Sequence, residues 1–113
     1  MLIYMPGYRA KHVGKRLRKI MRDLKVDATH MECLSLSAQL LGFRDWEHFV
    51  RRDLNAPLSL YDDLLSEKEF SARNEFQTGV LVKLGLGAIA EELLDRANPT
   101  GLWGKDFNQA SDN

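Results

Sequence analysis

The sequence predicts an all-α fold, a small bundle of about five helices in which a three-helix unit is followed by a helical hairpin. Three observations carry this. Apolar residues recur at spacings of three and four along most of the chain. Two capping boxes, Thr29-His30-Met31-Glu32 and Ser66-Glu67-Lys68-Glu69, mark helix starts. No stretch alternates apolar and polar residues as a half-buried strand would.

The first helix is expected over residues 9–25. At 100° per residue, Ala10, Val13, Leu17, Ile20, Met21 and Leu24 share one face. Lys11, Lys15, Arg18, Lys19, Arg22 and Lys25 share the opposite one. Gly14 weakens this helix or lets another backbone approach. The residues before it, Met1 to Tyr8, are apolar and read as a short extended arm, or as a dispensable start, since Met5 offers a second initiation point.

Thr29 opens a second helix, residues 30–41, whose polar stripe is only Glu32, Ser35 and Gln39. So narrow a wet face belongs to a central helix, with Cys33 inside it. Gly42 is placed to end it in a left-handed cap, with Phe43 making the accompanying apolar contact. Asp45 caps a third helix, 46–54. Its apolar side is Trp46, Phe49 and Val50, extending to Leu54 at its end, with Trp46 substantially buried among the first three helices. Glu47, His48, Arg51 and Arg52 face outward.

Residues 56–65 form a linker with an apolar patch. The fourth helix, about 67–84, presents Phe70, Phe76, Val80, Leu81 and Leu84, and Arg73 and Gln77 project from the same face. A guanidinium there either reaches the edge of the core or is tied to Asp62, Asp63 or Asp45. Gly85-Leu86-Gly87 breaks this helix. The last helix, 88–97, points Ile89, Ala90, Leu93, Leu94 and Ala97 inward and stops at Asn98-Pro99. Residues 1–99 thus make one helical domain, with a three-helix unit at 10–54 and a hairpin at 58–99. Residues 100–113 read as a flexible tail, although Leu102, Trp103 and Phe107 suit docking better.

Ala10-Lys11, Leu17-Arg18, Leu40-Leu41-Gly42-Phe43-Arg44-Asp45-Trp46 and Phe49 together resemble the helical N-terminal segment of some bacterial glyoxalase-superfamily proteins. The likeness covers residues 10–54, and its most specific part is Leu-Gly-Phe-x-Asp-Trp-x-x-Phe. In that family the chemistry belongs to a following metal-dependent β-rich domain. Here residues beyond 55 read as two helices and a tail, so no catalytic residue transfers. The resemblance implies a three-helix module of bacterial or phage-like origin.

Charge is balanced overall, with 16 basic and 16 acidic side chains, but not along the chain. Residues 1–55 hold 11 Lys/Arg against 6 Asp/Glu, and residues 56–113 hold 5 against 10. The basic half suits an anionic partner. Opposed halves equally suit contact within one chain or in a homodimer. One cysteine excludes an internal disulfide and a cysteine-rich zinc site. The longest low-charge run, Thr78 to Ala90, contains Lys83 and is too short to span a bilayer. The N-terminus has no secretory pattern, so a cytoplasmic location without membrane contact is expected.

Residue spacing separates the candidate chemistries. Ala38 and Gly42 have the spacing of a helix-turn-helix turn, with Arg51 and Arg52 on the following helix. Ser37 and His48 occupy its apolar positions, however, and Asp45 and Glu47 would meet phosphates. A tight helix corner fits better. His30, Cys33 and His48 are too few and too scattered for zinc. No nucleophile elbow, phosphate loop or HExxH is present. Asp62-Asp63 and Glu91-Glu92 are neighbours that diverge and read as solvated charges. The expectation is therefore a non-enzymatic protein-interaction or inhibitor module without metal or cofactor, of the accessory kind found on bacterial mobile elements. The alternative is a nucleic-acid binder using the basic face of the first helix. Either partner would be held by Lys11, Lys15, Arg18, Lys19, Arg22 and Lys25, with Arg51 and Arg52.

Overall fold

A computed structural model describes residues 1–104. Among them are five α-helices and no strand: α1 (Gly7–Asp23), α2 (His30–Leu40), α3 (Trp46–Val50), α4 (Glu67–Lys83) and α5 (Ala90–Ala97). Short 3-10 turns, Asp62–Leu64 and Gly87–Ile89, precede α4 and α5. The all-α bundle is as the sequence predicts.

α2 is central and packs on α1, α3 and α4, while α1 also packs on α5. Both capping boxes form. Thr29 Oγ1 accepts from Glu32 N at 3.1 Å, and Thr29 N donates to Glu32 Oε1 at 2.9 Å. Ser66 and Glu69 repeat the arrangement at 3.1 Å in both directions. One core joins α1, α2, α4 and α5 through Leu17, Ile20, Cys33, Leu40, Leu81 and Leu93. A second gathers Ile3, Met5, Ala10, Ala38, Leu41, Phe43 and Phe49. Gly14 is where α1 and α2 close up: a Cβ there would lie 3.0 Å from Leu34 Cδ2 and 3.5 Å from the Cys33 carbonyl oxygen.

Three expectations are corrected, on the end of α3, the inward face of α4 and the segment after residue 99. Of the two readings of the N-terminus, the structure shows the extended arm, and it is packed: Ile3 and Met5 are buried, Ile3 N donates to Leu41 O at 2.8 Å, and Ser59 N donates to Tyr4 O at 2.9 Å. α3 stops at Val50, not residue 54. Val50 and Leu54 are exposed, because Phe49 alone on this short helix enters the core. Trp46, as expected, is mostly buried against the second core and stacks on Phe49, with centroids 5.1 Å apart. On α4, Phe70 and Leu84 are exposed, while Arg73, Gln77 and Leu81 form the stripe that faces inward. The segment after residue 99 does not begin as a flexible tail: Thr100 and Gly101 are buried, and Trp103 is half-buried. Residues 105–113, Phe107 among them, lie outside the described residues.

Two polar clusters explain the last two corrections. Arg73 Nη1 donates to Leu60 O at 2.8 Å and to Asp62 Oδ1 at 3.0 Å. Gln77 Nε2 donates to Leu40 O at 3.2 Å and to Thr100 Oγ1 at 3.3 Å, and the Thr100 hydroxyl donates to Asp62 Oδ1 at 2.8 Å. Buried polar groups are tolerated on α4 because each finds partners here. Asp62 is therefore structural rather than a solvated charge. Asp63 likewise accepts from Leu102 N at 2.7 Å. Arg9, fully buried, donates to Asn98 O at 2.8 Å and Gly101 O at 2.5 Å. Arg9 and Arg16 both lie over the Trp103 ring, 3.7 and 3.5 Å from its centroid.

Candidate interface on the first helix

α1 gives its apolar face to both cores, which leaves the opposite face in solvent. Lys11, Lys15, Arg18, Lys19 and Arg22 on that face, and Lys25 in the turn after it, are all exposed. From Lys11 to Lys25 a helix would run about 21 Å. None of these six makes an ion pair among the described residues, although acids of the second half are within the same small bundle. The link between α1 and α5 uses other groups: Asp23 pairs with Arg96 at 2.7 Å. That contact, then Glu92, raises the Arg96 pKa above its ordinary value.

Arg51 and Arg52 are engaged locally. Arg51 pairs with Glu47 one turn back, and Arg52 Nη1 donates to Phe49 O at 3.1 Å with its guanidinium 4.0 Å over the Phe49 ring. The structure does not bring His30, Cys33 and His48 together, and no group of metal-ligating side chains forms among the described residues. His48 instead accepts from Arg44 N through Nδ1 at 2.9 Å, while Asp45 caps α3 by accepting from His48 N at 2.8 Å. α3, the helix that would follow the turn of a helix-turn-helix, is five residues long.

Two concave surfaces lie beside the end of the stripe. A small cleft of about 140 Å³ is lined by Arg18, Arg22 and Lys25 with Val26, Asp27 and Ala28. Lys25 takes φ 60° here, which turns the chain out of α1. A larger groove of about 450 Å³ runs between the end of α1, α2 and the α4–α5 turn. Met21, Val26, Leu36, Leu84 and Leu86 give it an apolar lining, and Cys33 is at its floor. Burial pushes the Cys33 thiol up, against the opposing pull of the nearby Arg18 charge. A third hollow, about 300 Å³, is lined by Asp62, Asp63, Asn74, Asp95 and Asn98 among others, and its carboxylates at 62 and 63 already hold structural hydrogen bonds.

Sequence reasoning missed Arg9 and Arg16. They fall about 20° apart on α1, at the border of its apolar face. The signal was Trp103, an aromatic out of place in a free tail. No family model, curated protein or solved structure matches this chain. No helix among the described residues is long and apolar enough to cross a membrane.

Proposed function

We propose that this is a non-enzymatic binding protein whose first helix docks an acidic surface of a partner protein. One observation carries the reading: six bases stand exposed along one helix face and its following turn, with no ion-pair partner among the described residues. Like charges four apart on a helix repel by a few tenths of a kcal/mol per pair. An acidic partner relieves that repulsion. The neighbouring carboxylates of Asp62 and Asp63 are occupied by Arg73, Thr100 and Leu102, which favours binding over catalysis. The narrower reading, an inhibitor-type accessory protein of a bacterial mobile element, rests on the resemblance of residues 10–54.

The test compares the tagged protein with a Lys15→Glu, Arg18→Glu, Arg22→Glu variant in nuclease-treated extract of the source cell. Proteins retained by the wild type should be lost from the variant at an unchanged melting temperature. An identical retained set overturns the proposal. In parallel, both are titrated against duplex DNA at rising salt. Tight binding that falls steeply with salt and vanishes in the variant would transfer the stripe to nucleic acid.

A further inference from the structure

We infer that the groove and the basic cleft form one docking site, and that its occupant is an amphipathic acidic segment of the partner protein. The inference rests on the α1 reading above and adds where the partner's apolar side chains go.

The two surfaces are continuous, because Val26, Asp27 and Ala28 line both. On one side of that shared edge stand Arg18, Arg22 and Lys25. On the other, the groove floor is Met21, Cys33 and Leu36, and its rims are Met31 and Leu84. Met31 is 58% exposed and Leu84 46%, so apolar surface faces water on both rims. Methionine on a rim adapts to different apolar side chains. The groove's volume is within the usual range for ligand-sized pockets.

Charge complementarity selects the occupant. Carboxylates flanking an apolar ridge meet three bases on the α1 side. Asp27 and Glu32 also line the groove, and the Glu32 carboxylate is already held by Thr29 N. Asp27 stands on the shared edge beside the three bases, whereas Glu32 on α2 repels an acid placed against that wall, so the segment's acidic face points toward α1. That fixes its orientation. A single-stranded nucleic acid is disfavoured because no aromatic side chain lines the groove for base stacking.

The probe is a fluorescein-labelled synthetic peptide of about 14 residues, which spans about 21 Å as a helix. It carries leucines at helical spacing on one face and glutamates on the other. Fluorescence anisotropy against the full chain should show binding well below about 1 mM. A control peptide with serine for leucine should bind at least about tenfold more weakly. The Met31→Glu, Leu84→Glu variant should lose at least about tenfold, and so should Arg18→Glu, Arg22→Glu, Lys25→Glu. All five positions are exposed, so melting temperatures should hold and report any misfolding. If the Met31/Leu84 variant or the serine peptide binds as well as the parent, the groove is empty and the inference falls while the α1 reading stands. No binding of the leucine peptide, with stripe-dependent capture from extract intact, has the same meaning. Failure of both the charge reversal here and the extract experiment removes both.

Discussion

The guanidinium of Arg9 lies 3.7 Å from the ring centroid of Trp103, and the Trp103 indole N–H donates to the same Asn98 carbonyl oxygen that accepts from Arg9, each at 2.8 Å. The beginning of α1 and the segment after α5 are thereby locked together. Arg9 Nη2 donates to two backbone carbonyls, Asn98 O and Gly101 O, from a buried site. Arg9→Met should cost about 3 kcal/mol, since charge-assisted hydrogen bonds are lost from a buried site. Urea unfolding measures the loss. In a Trp46→Phe background the emission of Trp103 should shift to the red as its segment loosens.

The polar tie on α4 predicts a second effect. Arg73→Met leaves Asp62 with the Thr100 hydroxyl but without its cation. The expected loss is about 2 kcal/mol. A double-mutant cycle with Asp62→Asn should give a coupling of about 1 kcal/mol or more. Independent effects at the two positions would mean that the pair contributes little and that Leu60 O is the main anchor of Arg73.

A chain begun at Met5 should be markedly less stable than the full chain. Ile3 would be missing from the second core, together with its hydrogen bond to Leu41 O. Burial of such a side chain is worth about 2 kcal/mol, a large share of a small domain's stability. Circular dichroism melts of the two chains decide it, and equal melting temperatures would make the arm a surface strap.

These effects show where the sequence was readable. Helical periodicity placed Val13, Leu17 and Ile20 inside and the six bases outside, because both follow from one helix geometry. The caps at Thr29, Asp45 and Ser66 were readable because capping is local chemistry. α4 misled because Phe70 and Leu84 look like core, whereas Arg73 and Gln77 find Asp62, Thr100 and Leu40 O only after folding. α3 ends at Val50, and just beyond it the Asp53 side chain accepts from Asn55 N at 2.9 Å in a local turn that competes with further helix. The groove was hidden for a different reason. Met21, Met31 and Leu86 are far apart in sequence, and no periodicity within one helix announces a hollow between three segments.

Two glycines should respond in opposite directions to alanine. Gly42 has φ 94°, and a Cβ there would lie 1.7 Å from the Met1 carbonyl oxygen. Gly42→Ala should therefore cost about 2 kcal/mol or more, through backbone strain and displacement of the arm. Gly79 lies inside α4 with nothing within 4 Å of its Cβ position. Gly79→Ala should add about 0.5–1 kcal/mol of stability. Thermal melts of both variants check the pair.

The capping boxes predict a pH dependence. Hydrogen bonds to Glu32 from the Thr29 backbone, then from its side chain, hold the Glu32 carboxyl below the usual carboxylate range. The Ser66 backbone and side chain do the same for Glu69, with help from the Arg73 charge. A carboxyl whose native pKa is depressed binds fewer protons folded than unfolded, so stability rises with pH across that window. The contribution is complete above the ordinary glutamate value and is lost as pH falls through the lowered native values. Both carboxyls are exposed, so the effect is small and is best read by difference. Urea midpoints of the wild type and a Glu32→Gln, Glu69→Gln variant, followed from about pH 6 to about pH 3, should converge at the acid end. The wild type should be the more stable at the upper end. Parallel curves would show that the two caps do not depend on ionised carboxylates, and an NMR titration placing both groups at the ordinary glutamate value would say the same.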